Sequence, residues 1–265
     1  MNIYVHELKS YSKTTLLWTV TLVLAVVLFM SIYPAFTKDV ASFKTMLEGV
    51  PEAVRHAIGL EVDQFFSLVG FYSYILLYLK MLGAIQAISL GIGILSKEVR
   101  DKTADFLLTK PVSRVDILLA KMMAAFTCIL VTNVIYVMAS LLIVSLVTTE
   151  PFHRQTLILL SLTVFLLQLV FLALGFMIAV VVQKIKSVLS VSLGTVFLLF
   201  FISLFGSATG DGLLRYLTPF QYVEPAYILR NQTYEWGFLL LGSLILIVSI
   251  AVSYIVYRKK DIPSV

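Results

Sequence analysis

The chain has 265 residues, of which 60% are hydrophobic and only 13% are charged. A soluble protein carries about 25% charged residues, and a soluble domain of this length could not bury so much apolar surface. The formal net charge of +5 comes from Lys and Arg residues in short gaps between apolar runs, whereas nucleic-acid binding needs them clustered on one soluble face. The composition therefore predicts an integral membrane protein that binds no nucleic acid.

Six apolar runs are each long enough to cross the hydrocarbon core as a helix, which takes about 20 residues. They cover residues 14–36, 66–95, 117–147, 157–182, 188–205 and 237–257. The first run is too long for a secretory signal peptide, and it lacks the small-residue cleavage site of one. We therefore predict an all-α integral membrane protein, with residues 1–265 forming a single transmembrane domain of six spans.

The distribution of basic residues predicts the orientation of the spans, because cytoplasmic loops retain Lys and Arg. With the N-terminus inside, 13 of the 20 basic residues lie in inner segments and six in outer segments, while Lys80 lies within the second span. Both termini are therefore predicted to be cytoplasmic.

The connection between the fifth and sixth spans differs from a simple loop. Residues 206–236 mix glycines with many aromatic residues and contain Pro219 and Pro225. Aromatic side chains favour the headgroup level of a membrane, and broken backbone at this depth requires protein or water to satisfy it. This composition predicts interfacial or re-entrant helices on the outer side.

The connection between the second and third spans, residues 96–114, is the most charged stretch of the chain, yet Phe106, Leu107 and Leu108 lie in its middle. A short helix that docks apolar side chains into the groove of a partner protein has this pattern. Pro111 ends such a helix, and Ser113 is placed to cap the next one. The alternative is an interfacial helix that rests on lipid headgroups, and the pattern alone leaves both open.

Three polar residues within the spans are candidates for a translocation pathway. Lys80 needs water, a carboxylate or room for its ammonium group to reach the membrane surface, because a charge in a span is costly. Gln86 and Asn133 are single amides in apolar runs. For Lys80 the alternative is a structural or snorkelling role, and for the two amides it is hydrogen bonding between helices.

The known catalytic and metal-binding patterns are missing from the sequence. Cys128 is the only cysteine, which excludes an internal disulfide and a cysteine-based metal site. There is no G-x(4)-G-K-[ST] phosphate loop, no HExxH and no G-x-S-x-G, and all three histidines lie outside the apolar runs. These patterns are the usual carriers of nucleotide, metal and nucleophile chemistry. We therefore predict that the chain by itself is not an enzyme.

A family resemblance extends these predictions. The residues that carry it are Glu98, Thr103, Leu107, Leu108, Pro111, Val112, Ser113, Arg114 and Lys121. They resemble the E-x(4)-T-x(3)-LL-x(2)-P-[VIL]-S-R-x(6)-K signature of ABC-2 type permeases, the membrane subunits of ATP-driven exporters with a fold like that of the G-subfamily half-transporters. His6-Glu7-Leu8-Lys9 resembles the family's N-terminal amphipathic entry helix with its E-L-[KR] signature, although His6 stands where lysine is more usual. The ending Tyr257–Ile262 is similar to the family's aromatic-basic-Asp-Ile ending.

The resemblance implies partners and site residues. The connection between spans two and three would be a cytoplasmic coupling helix seated on a separate ATPase, which binds ATP and Mg, so that this chain needs no cofactor of its own. The implied contact set is Glu98, Arg100, Asp105, Phe106, Leu107 and Arg114. Two ATPase copies, a second permease copy or a related permease, and membrane lipids would be the partners, in a bacterial cell membrane.

The resulting prediction is the permease subunit of an ABC exporter for a hydrophobic or amphipathic cargo such as a peptide antibiotic, a lipid or a drug. Two other classes of protein stay open. A secondary transporter or channel would call for ionisable residues or broken spans in matching halves, and Lys80 has no counterpart in spans four to six. A membrane scaffold that relays ATPase motion without transport would have much the same sequence as an exporter.

Overall fold

The computed structural model describes residues 3–37, 40–57, 65–100, 113–148, 152–182 and 184–259. The secondary structure of these residues is helical. In chain order the elements are α1 (Ile3–Phe36), α2 (Val40–Glu48), α3 (Glu52–Ala57), α4 (Leu68–Arg100), α5 (Arg114–Val147), α6 (Arg154–Val181), α7 (Val188–Thr209), α8 (Gly212–Leu217), a 3-10 turn (Pro219–Gln221), α9 (Pro225–Asn231) and α10 (Trp236–Lys259).

The six predicted spans are confirmed as helices. Among the described residues, α1, α4, α5, α6, α7 and α10 are long and apolar enough to cross a membrane. The N-terminal amphipathic segment is not a separate helix but the first turns of α1. No glycine or proline interrupts the chain between Ile3 and Tyr33, so nothing in the backbone chemistry ends the helix before the span begins.

Two helices form the centre of the bundle. In the apolar stretch of α4, 72% of the residues are buried within the chain, and in that of α6 61% are, against 11% in α7. The largest contact joins α4 to α6, while α1 packs mainly on α5 and α10 on α6. Peripheral helices with apolar outer faces are what a membrane protein presents to lipid or to partner helices.

The contact between α4 and α6 is a backbone-to-backbone crossing. A Cβ atom on Gly91 would lie 2.6 Å from the carbonyl oxygen of Leu172, and one on Gly175 would lie 2.7 Å from that of Ile88. Any larger residue would force the helices apart, so glycine is required at both positions. Small residues at such a crossing let membrane helices approach closely, and here they fix the frame that carries the charged side chains.

The bundle has two distinct ends. At one end, which we call the base, the N-terminal turns of α1 lie beside the last turns of α4 and the first turns of α5. The opposite end, which we call the far end, carries α8, the 3-10 turn and α9. The short helices predicted between the fifth and sixth spans are therefore present, and the far end holds them.

Candidate functional site

The predicted coupling residues lie at the base or outside the described part of the chain. Glu98 and Arg100 belong to the last turn of α4, and their side chains are outside the described part. Asp105, Phe106 and Leu107 fall in the segment 101–112, which is also outside it. The contact set as a whole therefore stays a prediction.

Arg114 is the first residue of α5, and the start of this helix is built as predicted. The Ser113 hydroxyl oxygen accepts a hydrogen bond from the backbone N–H of Asp116 at 3.1 Å, and the hydroxyl donates to the Asp116 carboxylate at 2.6 Å. Such a cap satisfies one of the free N–H groups of the first turn, and an acidic residue there complements the helix dipole. The cap therefore fixes where the segment 101–112 meets the third span.

Directly above this connection lies a buried cluster of three charged side chains, Glu7 of α1, Lys97 of α4 and Lys121 of α5. One carboxylate oxygen of Glu7 accepts from the Lys97 ammonium at 2.5 Å, and the other accepts from the Lys121 ammonium at 3.1 Å. Lys121 also donates to the carbonyl oxygen of Ile94 at 2.7 Å. Glu7 is 2% exposed and Lys121 is 1% exposed, while the Lys97 side chain is 17% exposed. The cluster therefore connects three helices, with two of its three charges buried and Lys97 at its edge.

Two further contacts place α1 in this cluster. The Lys97 ammonium lies 5.6 Å from the centre of the Tyr11 ring, in the range of a cation–π contact. The Tyr11 hydroxyl in turn occupies the space that a side chain at Gly93 would take, because a Cβ there would lie 3.3 Å from it. At the same level the Tyr4 and Thr127 hydroxyls are 3.0 Å apart. Hence the N-terminal part of α1 packs closely against both α4 and α5.

Sequence reasoning did not identify this cluster as a site. Glu7 and Lys121 entered only as motif positions, and Lys97 only as one of several basic residues near the second span. The opposite signs of two charges could have predicted the contact. Glu7 is the single acidic residue of the N-terminal segment, and Lys121 is the single lysine of the third apolar run. Both lie at the predicted inner edge of the membrane. Buried charges of opposite sign pair because an isolated one is very costly.

Lys80 lies in α4 toward the far end, 5% exposed. Its ammonium group donates to the carbonyl oxygens of Phe220 at 2.9 Å and Val223 at 3.3 Å. Both acceptors lie in or just after the 3-10 turn, where Pro219 and Pro225 interrupt helical hydrogen bonding. The geometry thus shows Lys80 holding broken backbone, which was the structural alternative for this residue, and its predicted pathway role stays a prediction.

The 3-10 turn is also attached to its other neighbours. Thr218 donates to the carbonyl oxygen of Leu199, and the Gln221 amide donates to that of Ser203 at 2.6 Å. The ring of Phe220 contacts Phe171 and Phe200, with ring centres 5.2 and 5.5 Å apart. This segment is therefore joined to α4, α6 and α7 at once.

Surface charges and tyrosines complete the far end. The Arg215 guanidinium contacts the carboxylates of Glu235 at 2.5 Å and Glu224 at 3.3 Å, and lies 3.9 Å from the centre of the Phe238 ring. Burial raises the pKa of Tyr222 and, more strongly, that of Tyr234. Both tyrosines are therefore neutral hydrogen-bond donors at ordinary pH.

Gln86 and Asn133, the other two pathway candidates, belong to a buried network in the middle of the bundle. The Gln86 amide donates to the Thr132 hydroxyl at 3.1 Å and accepts from the Gln168 amide at 3.0 Å. The Asn133 amide donates to Gln168 at 2.5 Å, and the Thr132 hydroxyl lies 3.0 Å from that of Thr19. The network joins α1, α4, α5 and α6, as the hydrogen-bonding alternative describes. A pathway role for either amide stays a prediction.

In the described residues no group of three His, Cys, Asp or Glu side chains could hold a metal ion. What the arrangement offers is mechanical: one carboxylate on α1 holds both helices that flank the segment 101–112. Such a cluster fixes the end of α4 and the start of α5 relative to α1, because packed interiors transmit strain.

Comparison with known proteins agrees with the geometry. No curated protein matches the chain. The sequence model of the family described as ABC-2 family transporter protein matches residues 1–262, almost the whole chain. Proteins of this kind are membrane subunits of ABC transporters, which accords with the six apolar helices. The chain, in which one buried glutamate holds the two helices on either side of the motif, belongs to the ABC-2 family of transporter proteins.

Proposed function

We propose that the chain is the permease subunit of an ABC exporter in a bacterial plasma membrane. It pairs with a second copy or with a related permease to form a twelve-span unit, and this unit binds two copies of a separate ATPase that holds ATP and Mg. The observation that supports the proposal is the contact between the two helix ends that flank residues 101–112: the end of α4 and the start of α5 meet α1 in one charge cluster at the base.

The proposal makes the base the cytoplasmic end. Helices α1, α4 and α5 have 34, 33 and 34 residues, or about 50 Å each at 1.5 Å per residue. The hydrocarbon core is about 30 Å thick, so these helices extend beyond it. The cytoplasmic assignment of the base is supported by the excess of basic residues in the predicted inner segments.

ATP closes the ATPase dimer, and the segment 101–112 follows that movement. Phe106 and Leu107 supply the apolar contact, while Glu98, Arg100, Asp105 and Arg114 form a charged rim around it, the usual arrangement at a protein interface. Displacement of this segment tilts α4 and α5, to which it is directly joined.

The cargo is a hydrophobic or amphipathic molecule. The peripheral helices present apolar faces that include the exposed side chains of Phe201 and Phe205. At the far end, a cavity of about 480 Å³ is lined by both apolar and polar side chains, among them Phe152, His153 and Arg230. A mixed lining accords with an amphipathic molecule, and the cavity favours none of the three cargo classes, a peptide antibiotic, a lipid or a drug.

The test is purification of the tagged full-length chain from its native host in nanodiscs, with measurement of ATP hydrolysis and of co-purifying proteins. We expect an ATPase subunit at about one copy per chain and measurable hydrolysis. Phe106→Asp should abolish both without affecting membrane insertion, because it places a charge in the apolar centre of the contact.

The matched control is Phe106→Leu, which keeps an apolar side chain and should retain the ATPase. A chain that purifies alone without hydrolysis, or a Phe106→Asp variant that keeps full transport, would contradict the coupling assignment. If the ATPase is present but none of the three cargo classes is moved into or out of vesicles, the scaffold alternative replaces the exporter.

A further inference from the structure

The two helix ends that flank residues 101–112, the end of α4 and the start of α5, which we call the two roots, are held by a single residue that is distant in sequence. Lys97 lies four residues before the segment and Lys121 nine residues after it, and each binds a different oxygen of the Glu7 carboxylate. The helix that carries Glu7 is not joined to this segment along the chain. Glu7 is therefore the point at which α1 meets both roots.

The chemistry of this contact favours a positioning role over a purely stabilising one. Apolar side chains of similar volume often stabilise a buried site as well as an ion pair does, because charges lose their hydration on burial. What a carboxylate between two ammonium groups adds is direction, since each bond requires a defined distance and angle. Such an arrangement holds the ends of α4 and α5 at one separation and one register relative to α1.

Further contacts join α1 to both helices that flank residues 101–112. Along its length α1 is linked to α5 through the paired hydroxyls of Tyr4 and Thr127 and of Thr19 and Thr132. Its contacts with α4 at the base include the ion pair of Glu7 with Lys97 and the packing of Tyr11 beside Gly93. At the base, a shift of α4 relative to α5 therefore acts on α1 through the carboxylate, which binds a lysine of each helix.

We propose that Glu7 is a positioning residue for coupling: it sets the separation of the two helix ends that flank residues 101–112 and transmits the movement of these ends to α1. The positional part rests only on the contacts described above, and the transmission part rests on the proposed function. The residue touches neither ATP nor cargo.

The positional part is tested on the full-length chain in nanodiscs, without any ATPase, by hydrogen–deuterium exchange. Glu7→Gln keeps the shape of the side chain and removes its charge. We expect exchange about tenfold faster in peptides covering residues 97–114, as for a local opening that loses a buried ion pair, with no change in residues 212–235 at the far end. The matched control Glu48→Gln makes the same chemical change at an exposed position of α2 and should leave residues 97–114 unaffected.

Two exchange results would overturn the positional role: unchanged exchange in residues 97–114, or equal acceleration in the base and the far end, which indicates general destabilisation. If Glu7→Gln fails to insert, Lys97→Met replaces it, because Glu7 then keeps its contact with Lys121. That variant should accelerate exchange at the end of α4 more than at the start of α5, and equal exchange at both roots contradicts the proposal.

The transmission part is tested in the complex with the co-purified ATPase. Glu7→Gln should keep the ATPase bound at the wild-type ratio but lower ATP hydrolysis several-fold, and Glu7→Asp should restore part of it. Wild-type hydrolysis in Glu7→Gln would overturn transmission while leaving the permease assignment intact. If no ATPase accompanies the wild-type chain, the proposed function fails, and the exchange experiment still decides the positional role.

Discussion

The two ends of the bundle hold buried lysines in different ways. Lys121 at the base, 1% exposed, has a carboxylate partner in Glu7 and a carbonyl partner in Ile94. Lys80 toward the far end, 5% exposed, donates to the carbonyl oxygens of Phe220 and Val223. The side chains are chemically the same. At the base the hydrogen-bond acceptors include a carboxylate, whereas at the far end they are backbone carbonyls, and the Glu224 carboxylate attracts the ammonium group electrostatically.

This difference separates two structural tasks. At the base a charge on one helix holds charges on two others, so the contact depends on which side chains are present. At the far end the ammonium group donates to carbonyl oxygens of the proline-interrupted segment, since buried backbone acceptors need a partner. The charges at the base thus connect regular helices to one another, whereas Lys80 satisfies backbone carbonyl groups of an irregular segment.

The largest change to this comparison is expected from removing the carboxylate that binds both lysines at the base. Glu7→Ala leaves Lys97 and the buried Lys121 without their shared counter-ion, and loss of one partner of a buried ion pair costs about 3–5 kcal/mol. We expect a clear fall in the apparent unfolding temperature in nanodiscs. Glu48→Ala, at an exposed position, should change the stability by no more than about 0.5 kcal/mol, and an equal fall in both variants would refute the special role of Glu7.

A smaller effect is expected from neutralising Lys80. Lys80→Met removes the donor from two buried carbonyl groups, and an unsatisfied buried acceptor costs about 1–3 kcal/mol. Removal of a buried charge offsets part of this cost. Hydrogen exchange should accelerate in residues 212–235 and not at the base, the reverse of the pattern for Glu7→Gln. Lys184→Met, on an exposed lysine, is the control, and acceleration at the base would show that the two ends are not independent.

The smallest effect concerns Tyr234, whose hydroxyl donates to the carbonyl oxygen of Leu159 at 2.7 Å. Tyr234→Phe should cost about 1 kcal/mol at neutral pH, the usual net value of one hydrogen bond. Burial raises the pKa of Tyr234 above its usual 10.0, so the folded state favours the neutral phenol. Its contribution is complete below pH 10 and is lost as the pH rises through the folded-state pKa.

The measurement is exchange in residues 212–235 between about pH 9 and about pH 12, corrected for the intrinsic pH dependence of amide exchange. The wild-type chain should loosen over this interval more than Tyr234→Phe does. Tyr216→Phe, which removes a phenol from a ring that is 57% exposed, should follow the wild-type curve. Identical pH dependence in the wild type and Tyr234→Phe would contradict a stabilising role for the neutral phenol.

Much of the fold was predictable because hydropathy is a local property. The six spans, the short helices after the fifth span and the Ser113 cap all follow from residues close in sequence, and all are present. The continuity of α1 was not predicted. The sequence suggested an amphipathic helix followed by a separate apolar span, but the two form one helix, because no residue between them ends it.

Sequence alone determined that the chain lies in a membrane, how many times it crosses and which connection carries the family motif, because each of these depends on composition within a short window. Only the tertiary structure decided which polar groups meet. Glu7 and Lys121 are 114 residues apart, and Lys80 and Phe220 are 140 apart. Each buried charge needs a partner, which follows from side-chain chemistry alone. Which partner it finds is decided by helix packing. For Lys80 the hydrogen-bond acceptors are backbone carbonyl groups, and because every residue has one, the amino-acid sequence cannot single them out.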